Sequence, residues 1–201
     1  MRTDSDIPIS IDTRRAQVAR AAVSAGADIV NDVSGGSFDP AMLNTVAELG
    51  VPMVLMHMRG TPQTMQSMTE YDDVVNNVAA ALVERSVAAE RAGIPRWMQI
   101  LDPGIGFAKD LEGNLLLLKS LSQVRSIVGD VPLLLGTSRK GFIGKLTGVA
   151  DAKERDPGTI ASTVAALCIG QGAGDCSVVR VHNVAAIKQG MVVMDAIRKA
   201  K

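Results

Sequence analysis

Aromatic residues, cysteines and net charge are all scarce in this sequence, and each shortage excludes a class of protein. Aromatic residues make up 2% of the 201 positions, and 21 Lys and Arg residues balance 21 Asp and Glu residues. A nucleic-acid-binding protein needs a basic surface and side chains that stack on bases, and the sequence offers neither. The two cysteines, Cys168 and Cys176, lack the spacing of a metal site, so we expect them to be reduced packing residues.

Long apolar runs are missing as well. The longest are short and broken by polar residues, so the sequence predicts no membrane span and no membrane partner. Residues 1–7 carry Asp4 and Asp6 without an apolar core, which does not fit a secretory signal. The default location is therefore the cytoplasm, with the mitochondrial matrix as the alternative. The hydrophobic content of 47% suits one globular domain over residues 1–201.

The sequence does contain a regular alternation of short apolar runs and segments with helical spacing. The almost wholly apolar run at 53–58 is typical of a parallel strand that is buried on both faces. Thr13, Asp39 and Asn183 are placed to cap helices, and the aspartate pair at 72–73 marks a helix start. The predicted strands are 8–12, 28–33, 53–58, 98–102, 132–135 and 177–182. The predicted helices are 14–25, 40–49, 74–92, 115–121, 158–170 and 184–197, with a longer connection over 141–156.

Polar side chains lie at or just past the carboxyl end of each predicted strand. In a (β/α)8 barrel those ends share one mouth, whereas an open sheet gathers only the ends beside its switch point. No Gly-x-Gly-x-x-Gly follows the first strand, so the main dinucleotide-binding motif is absent. The pattern therefore favours an α/β fold of the TIM-barrel type over a doubly wound sheet. The polar residues are Asp12, Asn31, His57, Asp102, Lys140, Arg180 and His182.

The number of predicted units is smaller than in a complete barrel. The predicted strands start about every 34 residues, so eight βα units would need roughly 270 residues. The chain has 201 residues and opens directly on a strand, so we expect six units with the first two missing. Segments 8–12 and 178–181 would then be apolar edge strands, which tend to pair with other chains. We therefore expect the chain alone to self-associate and to lack turnover.

The segment 101–109 has the strongest features of a binding site. A buried apolar run ends in Asp102, Pro103 stops the ladder of hydrogen bonds, and Gly104 and Gly106 let the backbone turn tightly beside a ligand. A strand that ends in this way delivers one charged side chain to a binding mouth. The alternative is that Asp102 only caps the turn that follows it.

Six short motifs occur in series over nearly the whole chain. They are Ser10-Ile11-Asp12-Thr13, Ile29-Val30-Asn31-Asp32-Val33, Leu55-Met56-His57-Met58-Arg59-Gly60-Thr61-Pro62, Leu101-Asp102-Pro103-Gly104-Ile105-Gly106-Phe107, Thr137-Ser138-Arg139-Lys140 and Arg180-Val181-His182. In this order they resemble the dihydropteroate synthase family, the sulfonamide-target transferases of folate biosynthesis. The sequences of two segments, 57–62 and 93–97, resemble those of fungal and plant members, which are usually fused to a pterin pyrophosphokinase. The resemblance implies a homodimer or a part of a multifunctional folate-synthesis enzyme.

The resemblance also implies a reaction and a pterin site. Members of the family condense 6-hydroxymethyl-7,8-dihydropterin diphosphate with p-aminobenzoate, which gives dihydropteroate and diphosphate. A pterin ring has a hydrogen-bond donor edge that needs a carboxylate, because an unpaired buried polar group costs about 1–3 kcal/mol. Asp102 is expected to bind that edge. The pterin-binding residues that the resemblance implies are Asp12, Asn31, Met58, Asp102, Lys140 and Arg180.

The departure of diphosphate accounts for further charged residues. When the C–O bond breaks, positive charge develops on the pterin methylene and negative charge on diphosphate. By the resemblance, Asp12 stabilises the first, while Arg180 and His182 bind the second, with Mg²⁺ as the expected cofactor. The implied catalytic residues are Asp12, Lys140, Arg180 and His182, and the implied contacts of p-aminobenzoate are Phe107, Ser138 and Lys140.

Several of these positions have a structural alternative. One of Asn31 and Asp32 is expected to bind ligand, and the other to bond the backbone of the turn that follows. His57 is interpreted as structural or at most pocket-lining, because a lone histidine on an apolar strand is usually a core residue. Met58 is either core or a wall of the pterin slot. Arg139 is expected to be a solvated or rim charge.

The chain departs from the family in two ways. Asn183 follows the Arg-Val-His motif where the family usually has aspartate, which keeps a helix cap and removes a negative charge. The first two family motifs are absent, including the one with the metal-linked asparagine. The metal ligands are therefore unknown, and the diphosphate half of the site is expected to be incomplete. Two alternatives to an active synthase follow, a non-catalytic pterin-binding fragment and a domain like the corrinoid-dependent methyltetrahydrofolate methyltransferases.

Overall fold

The computed structural model describes residues 6–61, 63–169 and 176–200, in which six strands alternate with helices in the predicted order. The strands are β1 (Ser10–Asp12), β2 (Ile29–Asp32), β3 (Met53–Met56), β4 (Gln99–Asp102), β5 (Leu134–Leu135) and β6 (Val178–Val179). The helices are α1 (Ala16–Ser24), α2 (Met42–Leu49), α3 (Val74–Arg91), α4 (Leu111–Lys119), α5 (Leu121–Val128), α6 (Gly141–Thr147), α7 (Asp156–Ile169) and α8 (Val184–Lys199). Short 3₁₀ helices cover Met65–Ser67, Arg96–Met98 and Ala152–Arg155. Across the described ranges, no helix has both the length and the apolar character that a bilayer crossing needs.

The strands pair in parallel, each with the next one along the chain. The first four form one sheet in the order β1-β2-β3-β4, and β5 pairs with β6. A bridge between Leu101 and Leu133 joins the two groups. Sequential parallel pairing without a reversal of strand order is the arrangement of the TIM-barrel type, and it brings the carboxyl ends of all six strands to one side.

The core lies between the strands and the surrounding helices. All four residues of β3 are buried, as its apolar sequence predicted. Val78 and Leu82 on α3 are fully buried one helical turn apart in the same core cluster. Gln99 is one of the polar residues buried in the interior. Its Oε1 accepts a hydrogen bond from Ser86 Oγ at 2.6 Å, and its Nε2 donates to the Ile94 carbonyl at 2.9 Å, so neither end of this buried amide is left unpaired.

The first two helices begin later than predicted, and one aspartate accepts hydrogen bonds beside both starts. The predicted Thr13 cap is wrong, since α1 begins at Ala16 and the Thr13 hydroxyl accepts the Arg15 N–H, at 3.1 Å. Asp39 accepts the Ala16 N–H at 2.8 Å with one oxygen and the Ala41 N–H at 3.0 Å with the other. These backbone donors lower the pKa of Asp39. Asp39 is therefore a shared acceptor rather than the cap of a helix that begins at residue 40.

Other boundaries differ where an element is short. The predicted helix 115–121 is two helices, α4 and α5, separated at Ser120. The connection 141–156 contains α6, whose seven residues are too few to show a clear period. Asp73 and Asn183 cap α3 and α8 with their side chains, as predicted. Cys168 is exposed, so the prediction of a packing role for it is wrong, whereas Cys176 is half-buried.

The loop after β4 passes very close to the end of β3. The His57 N–H donates to the Asp102 carbonyl at 2.9 Å, which continues the pairing of the two strands by one residue. Gly104 then turns with φ +69°, and a Cβ at this position would lie 2.0 Å from the His57 carbonyl oxygen. Only glycine fits there, because the clash is with backbone and the left-handed φ disfavours other residues.

We expect Gly104→Ala to destabilise the fold by at least about 2 kcal/mol more than Gly148→Ala. Gly148 is a matched control, because its φ is +74° but a Cβ there meets nothing within 4 Å. The control substitution should therefore show only the cost of a left-handed alanine, about 1 kcal/mol. Urea denaturation of both variants measures the difference. Equal losses would show that the loop can move away from His57 at no cost.

Candidate active site

A cavity opens at the carboxyl ends of the strands. Most of the polar residues predicted at those ends line it. The apolar side chains Val33, Met56 and Ile105 form part of its wall, which gives it the mixed lining of a small-molecule site. The residues that line it are Asp12, Asn31, Val33, Met56, Asp102, Gly104, Ile105, Phe107, Gly136, Ser138, Lys140 and Arg180.

Asp102 is the most buried charged residue of the cavity. Asp102 is the last residue of β4 and is 7% exposed. Its Oδ1 accepts a hydrogen bond from the Gly104 N–H at 2.7 Å. Burial raises the pKa of Asp102 to about 6, while the Gly104 N–H and the positive charges of Lys140, Lys109 and Arg180 oppose the rise. The carboxylate is therefore ionised at neutral pH and takes up a proton in mildly acidic solution.

Asp12 connects the first described strand with the last. The pairing of β1 with β2 places it directly beside Asn31, whose Nδ2 donates to Asp12 Oδ2 at 3.1 Å. Arg180, which follows β6, donates from Nη2 to the same oxygen at 2.9 Å, and both side chains of this ion pair are about half exposed. An acidic, an amide and a basic group thus share one part of the cavity.

The choice between Asn31 and Asp32 follows from the turn after β2. Asp32 is fully buried and accepts hydrogen bonds from the Ser34 N–H at 2.7 Å, the Ser34 hydroxyl at 2.6 Å and the Gly36 N–H at 2.9 Å. The Asp32 carboxylate is therefore hydrogen-bonded within the turn, whereas Asn31 lines the cavity. Sequence alone could not decide, because the two residues are adjacent and both are polar.

Lys140 and Phe107 meet at one side of the cavity. The Lys140 ammonium lies 4.0 Å from the centre of the Phe107 ring, a favourable cation–π contact. Burial lowers the pKa of Lys140 to about 8, with Asp102 opposing the shift and Arg180 adding to it. Lys140 is therefore largely a cation at neutral pH.

Ser138 and His182 are joined across two loops. Ser138 Oγ and His182 Nδ1 are 2.8 Å apart, and the same hydroxyl accepts the His182 N–H at 3.1 Å. Ser138 lines the cavity, while His182 is exposed and is not among the residues that line it. Of the two alternatives for Arg139, a solvated or a rim charge, the solvated one is wrong, because its guanidinium donates twice to Asp156, at 2.7 and 2.9 Å.

The structure places two methionines differently from the prediction. The predicted strand ran to Met58, whereas β3 ends at Met56 and it is Met56 that lines the cavity. Met58 is half-buried and lies outside that lining. Val33 and Ile105 were not singled out as site residues either, although Val33 ends a predicted strand and Ile105 lies in the segment 101–109.

A buried lysine behind the cavity was also missed. Lys109 is 5% exposed, and its Nζ lies 3.0 Å from His57 Nδ1, 3.0 Å from the Gly104 carbonyl oxygen and 2.9 Å from the Phe107 carbonyl oxygen. Burial lowers the pKa of Lys109 to about 7, with Asp102 opposing the shift. Burial, together with the charges of Lys109, Arg59 and Arg85, lowers the pKa of His57 to about 3, so this histidine is a neutral, structural residue.

The described residues do not fit a magnesium site. Mg²⁺ is bound in proteins mainly by carboxylate oxygens and water. No group of three or more His, Cys, Asp or Glu side chains that could hold a metal occurs in the described part of the chain. The carboxylate nearest Arg180 is Asp12, which is already bonded to that cation and to Asn31. The expected role of Mg²⁺ therefore has no support from these side chains.

Comparison with known proteins agrees with this geometry. The sequence profile of the family described as pterin binding enzyme matches residues 1–182. The chain belongs to this family. The resemblance read from the six motifs is thereby confirmed.

Relatives with similar sequences are named for folate synthesis. The chain is 46% identical to a dihydropteroate synthase of Synechocystis sp., over 98% of this chain and 66% of that protein. It is 43% identical to a mitochondrial folate synthesis bifunctional protein of Arabidopsis thaliana, over 96% of this chain and 36% of that protein. The chain thus spans about two thirds of the bacterial relative and about a third of the plant relative.

Solved structures of family members confirm the TIM-barrel type of fold. Dihydropteroate synthase from Stenotrophomonas maltophilia superposes with a TM-score of 0.90 at 39% identity, over 98% of this chain and 71% of that one. The enzyme from Thermus thermophilus in complex with 6HMPPP gives a TM-score of 0.86 at 39% identity, over 95% of this chain and 72% of that one.

We expect the free energy of unfolding to fall as the pH is lowered from 6.5 towards 3, in part because of His57. The unfolded state binds a proton near the ordinary histidine pKa of 6.5, whereas the folded pKa is about 3. This one group therefore costs up to about 1.4 kcal/mol per pH unit within that window. Asp102 acts in the opposite sense between about pH 6 and 3.8, since burial raises its folded pKa.

Comparison with His57→Gln isolates the histidine, because glutamine can still accept a hydrogen bond from Lys109 while it cannot take up a proton. Chemical denaturation at a series of pH values should give a shallower acid loss for the variant than for the wild type. Parallel curves for the two proteins would show that His57 is protonated in the folded state.

Proposed function

We propose that this chain carries the pterin-binding site of a dihydropteroate synthase, within one domain over residues 1–201. The protein would condense 6-hydroxymethyl-7,8-dihydropterin diphosphate with p-aminobenzoate, giving dihydropteroate and diphosphate. The observation that carries the proposal is a buried, ionised Asp102 in a cavity that also presents the Asn31 amide and the Lys140 ammonium. The family membership and the complex of the Thermus relative with 6HMPPP support it.

Ring recognition would depend on Asp102. Its carboxylate would accept hydrogen bonds from the donor edge of the pterin, and such bonds to a charged group are stronger than those between neutral groups. Asn31 has both a donor and an acceptor for the remaining polar atoms of the ring. The apolar side chains of Met56 and Ile105 would lie against the ring faces, so that burial of a flat heterocycle leaves few polar groups unpaired.

Arg180 and His182 would bind the negatively charged diphosphate leaving group. Heterolysis of the C–O bond moves negative charge onto diphosphate, and a guanidinium at the rim of the cavity stabilises that charge as it develops. Asp12 is held by Asn31 and Arg180, in a position where its carboxylate can stabilise positive charge on the pterin methylene. No step of this proposal depends on Mg²⁺, because the described side chains do not form a site for it.

The second substrate would bind beside Phe107, Ser138 and Lys140. The aromatic ring offers a face for the benzene ring of p-aminobenzoate, and the two polar side chains suit its carboxylate. The amine would attack the pterin methylene as diphosphate departs. We also propose a cytoplasmic or mitochondrial location, and assembly either as a homodimer or within a multifunctional folate-synthesis enzyme. The mitochondrial location and the multifunctional enzyme rest on analogy with the plant relative.

The test of the proposal is ligand binding and product formation with Asp102→Asn as the variant. We expect the wild type to bind the pterin substrate and Asp102→Asn to bind it more weakly by about 1.5–3 kcal/mol. Wild-type affinity should also fall as the pH drops through about 6, because Asp102 is then protonated, and the variant should lose this dependence.

Calorimetric titration measures the affinities, and a dihydropteroate assay measures turnover. Asp130→Asn, at an exposed position outside the cavity, serves as the control and should behave as the wild type. Pterin binding without any dihydropteroate would favour the non-catalytic pterin-binding alternative. Equal affinities of wild type and Asp102→Asn would remove Asp102 from the site.

Arg180→Ala separates recognition of the leaving group from recognition of the ring. We expect this variant to lose at least about tenfold in affinity for the diphosphate-bearing pterin and much less for the unphosphorylated pterin, because charge-assisted bonds to phosphate are lost. Arg20→Ala is a matched control, since Arg20 forms an exposed ion pair with Glu48 at 2.6 Å, outside the cavity. If both ligands weaken equally in Arg180→Ala, the residue supports the fold and does not bind the anion.

A further inference from the structure

Asp156 joins two loops that present site residues. It is the first residue of α7, and its carboxylate accepts two hydrogen bonds from Arg139, from Nε at 2.7 Å and from Nη2 at 2.9 Å. The Asn183 amide donates to the same carboxylate at 3.0 Å. Arg139 stands between Ser138 and Lys140, and Asn183 directly follows His182, so one carboxylate ties together the two segments on which these side chains lie.

The loop that contains Arg139 has an unfavourable backbone conformation, which hydrogen bonds from α7 stabilise. Arg139 has φ +57°, a left-handed conformation that is unfavourable for a residue with a side chain. Its backbone N–H donates to Thr159 Oγ1 at 3.0 Å, and its carbonyl accepts from Arg155 at 3.2 Å. Bonds from the start of α7 and the 3₁₀ helix before it therefore hold an otherwise disfavoured turn, and Asp156 holds its side chain.

The Asn183 amide can donate a hydrogen bond to Asp156 and cap α8 at the same time. Its Nδ2 points to the Asp156 carboxylate, while its Oδ1 accepts the Ala186 N–H at 3.1 Å and caps α8. An amide can donate at one end and accept at the other, whereas a carboxylate can only accept. Aspartate at position 183 would keep the helix cap but would place two carboxylates about 3.0 Å apart.

We infer that Asp156 and Asn183 form a positioning pair that holds Ser138 against His182 and thereby sets the p-aminobenzoate side of the site relative to the diphosphate side. The catalytic consequence rests on the proposed function, but the positioning does not. The contact that the pair maintains is the one between Ser138 Oγ and His182 Nδ1, at 2.8 Å. The hydrogen bonds from Arg139 and Asn183 lower the pKa of Asp156 to about 2, so the carboxylate is ionised at every pH of interest.

Three variants separate positioning from capping. Asn183→Asp keeps the cap and removes the donor, and Asp156→Asn keeps the size of the side chain and removes the charge. The double variant Asp156→Asn with Asn183→Asp restores a carboxylate–amide hydrogen bond with the donor and acceptor exchanged, and still leaves one acceptor for Arg139. Asn76→Asp is the matched control, because Asn76 Nδ2 donates to Asp73 at 2.6 Å in the same way on α3, away from the cavity.

We expect each single variant at 156 or 183 to raise the KM for p-aminobenzoate roughly tenfold, with a smaller change in the KM for the pterin substrate, since a charge-assisted hydrogen bond is lost. The double variant should recover most of that loss, to within about threefold of the wild type. The control should leave both KM values unchanged. A merely structural role would instead lower the yield of folded protein and affect both substrates alike, without recovery in the double variant.

Proton NMR of the two histidines gives a readout that does not depend on activity. The imidazole signals of His182 should shift in both single variants and return towards the wild-type position in the double variant. The signals of His57, the other histidine, should stay in place in all of them. This pattern in a protein that binds neither the pterin substrate nor p-aminobenzoate would overturn the proposed function and keep the positioning pair. Unshifted His182 signals in Asn183→Asp, or a double variant no better than the singles, would overturn the positioning pair.

Discussion

The loop that ends the fourth strand depends on one buried ammonium group. Lys109 is sequestered from water and contacts a histidine nitrogen and two backbone carbonyl oxygens, which come from three different points of the loop and of the neighbouring strand end. Burying such a charge is costly unless every donor is used. Here the three hydrogen bonds offset the cost, and they hold the peptide groups of Gly104 and Phe107 in place. The Phe107 ring in turn lies under the Lys140 ammonium.

The cavity brings two carboxylates and two cations together. Asp12 and Asp102 face Lys140 and Arg180, with the Lys109 ammonium close behind. Burial lowers the pKa of both lysines, to about 8 for Lys140 and about 7 for Lys109, because it disfavours their charged forms. A negatively charged group bound beside them would favour the protonated lysines. The proposed substrate, a neutral heterocycle with an anionic tail, would place its ring at Asp102 and its tail at the cations.

Much of the fold and of the site could be predicted from the sequence, because parallel strands that follow one another bring their carboxyl ends together. That rule placed Asp12, Asn31, Asp102, Lys140 and Arg180 near one another. It could not reveal Lys109, whose acceptors are mostly backbone carbonyls that any sequence would supply. Met58 was predicted to be either core or a wall of the pterin slot, whereas Met56 lines the cavity, because β3 ends at Met56 and propensity alone does not determine where a strand ends.

Contacts between distant parts of the chain were equally hidden from a reading of local patterns. The bond from Asp39 to the start of α1 spans 23 residues, and the one from Asn183 to Asp156 spans 27 residues. Local capping rules assigned each of these side chains to the helix that follows it. For Asn183 the local rule was right but described only half of what the amide does.

The position of Asp39 has a consequence for how the first part of the chain becomes ordered. Because a single carboxylate completes the first turn of α1 and the turn that leads into α2, neither helix start is fully bonded until the other is in place. The two helices should therefore open and close together as one cooperative unit. Transient fraying of α2 would then also free the Ala16 N–H, at the start of the helix that follows β1.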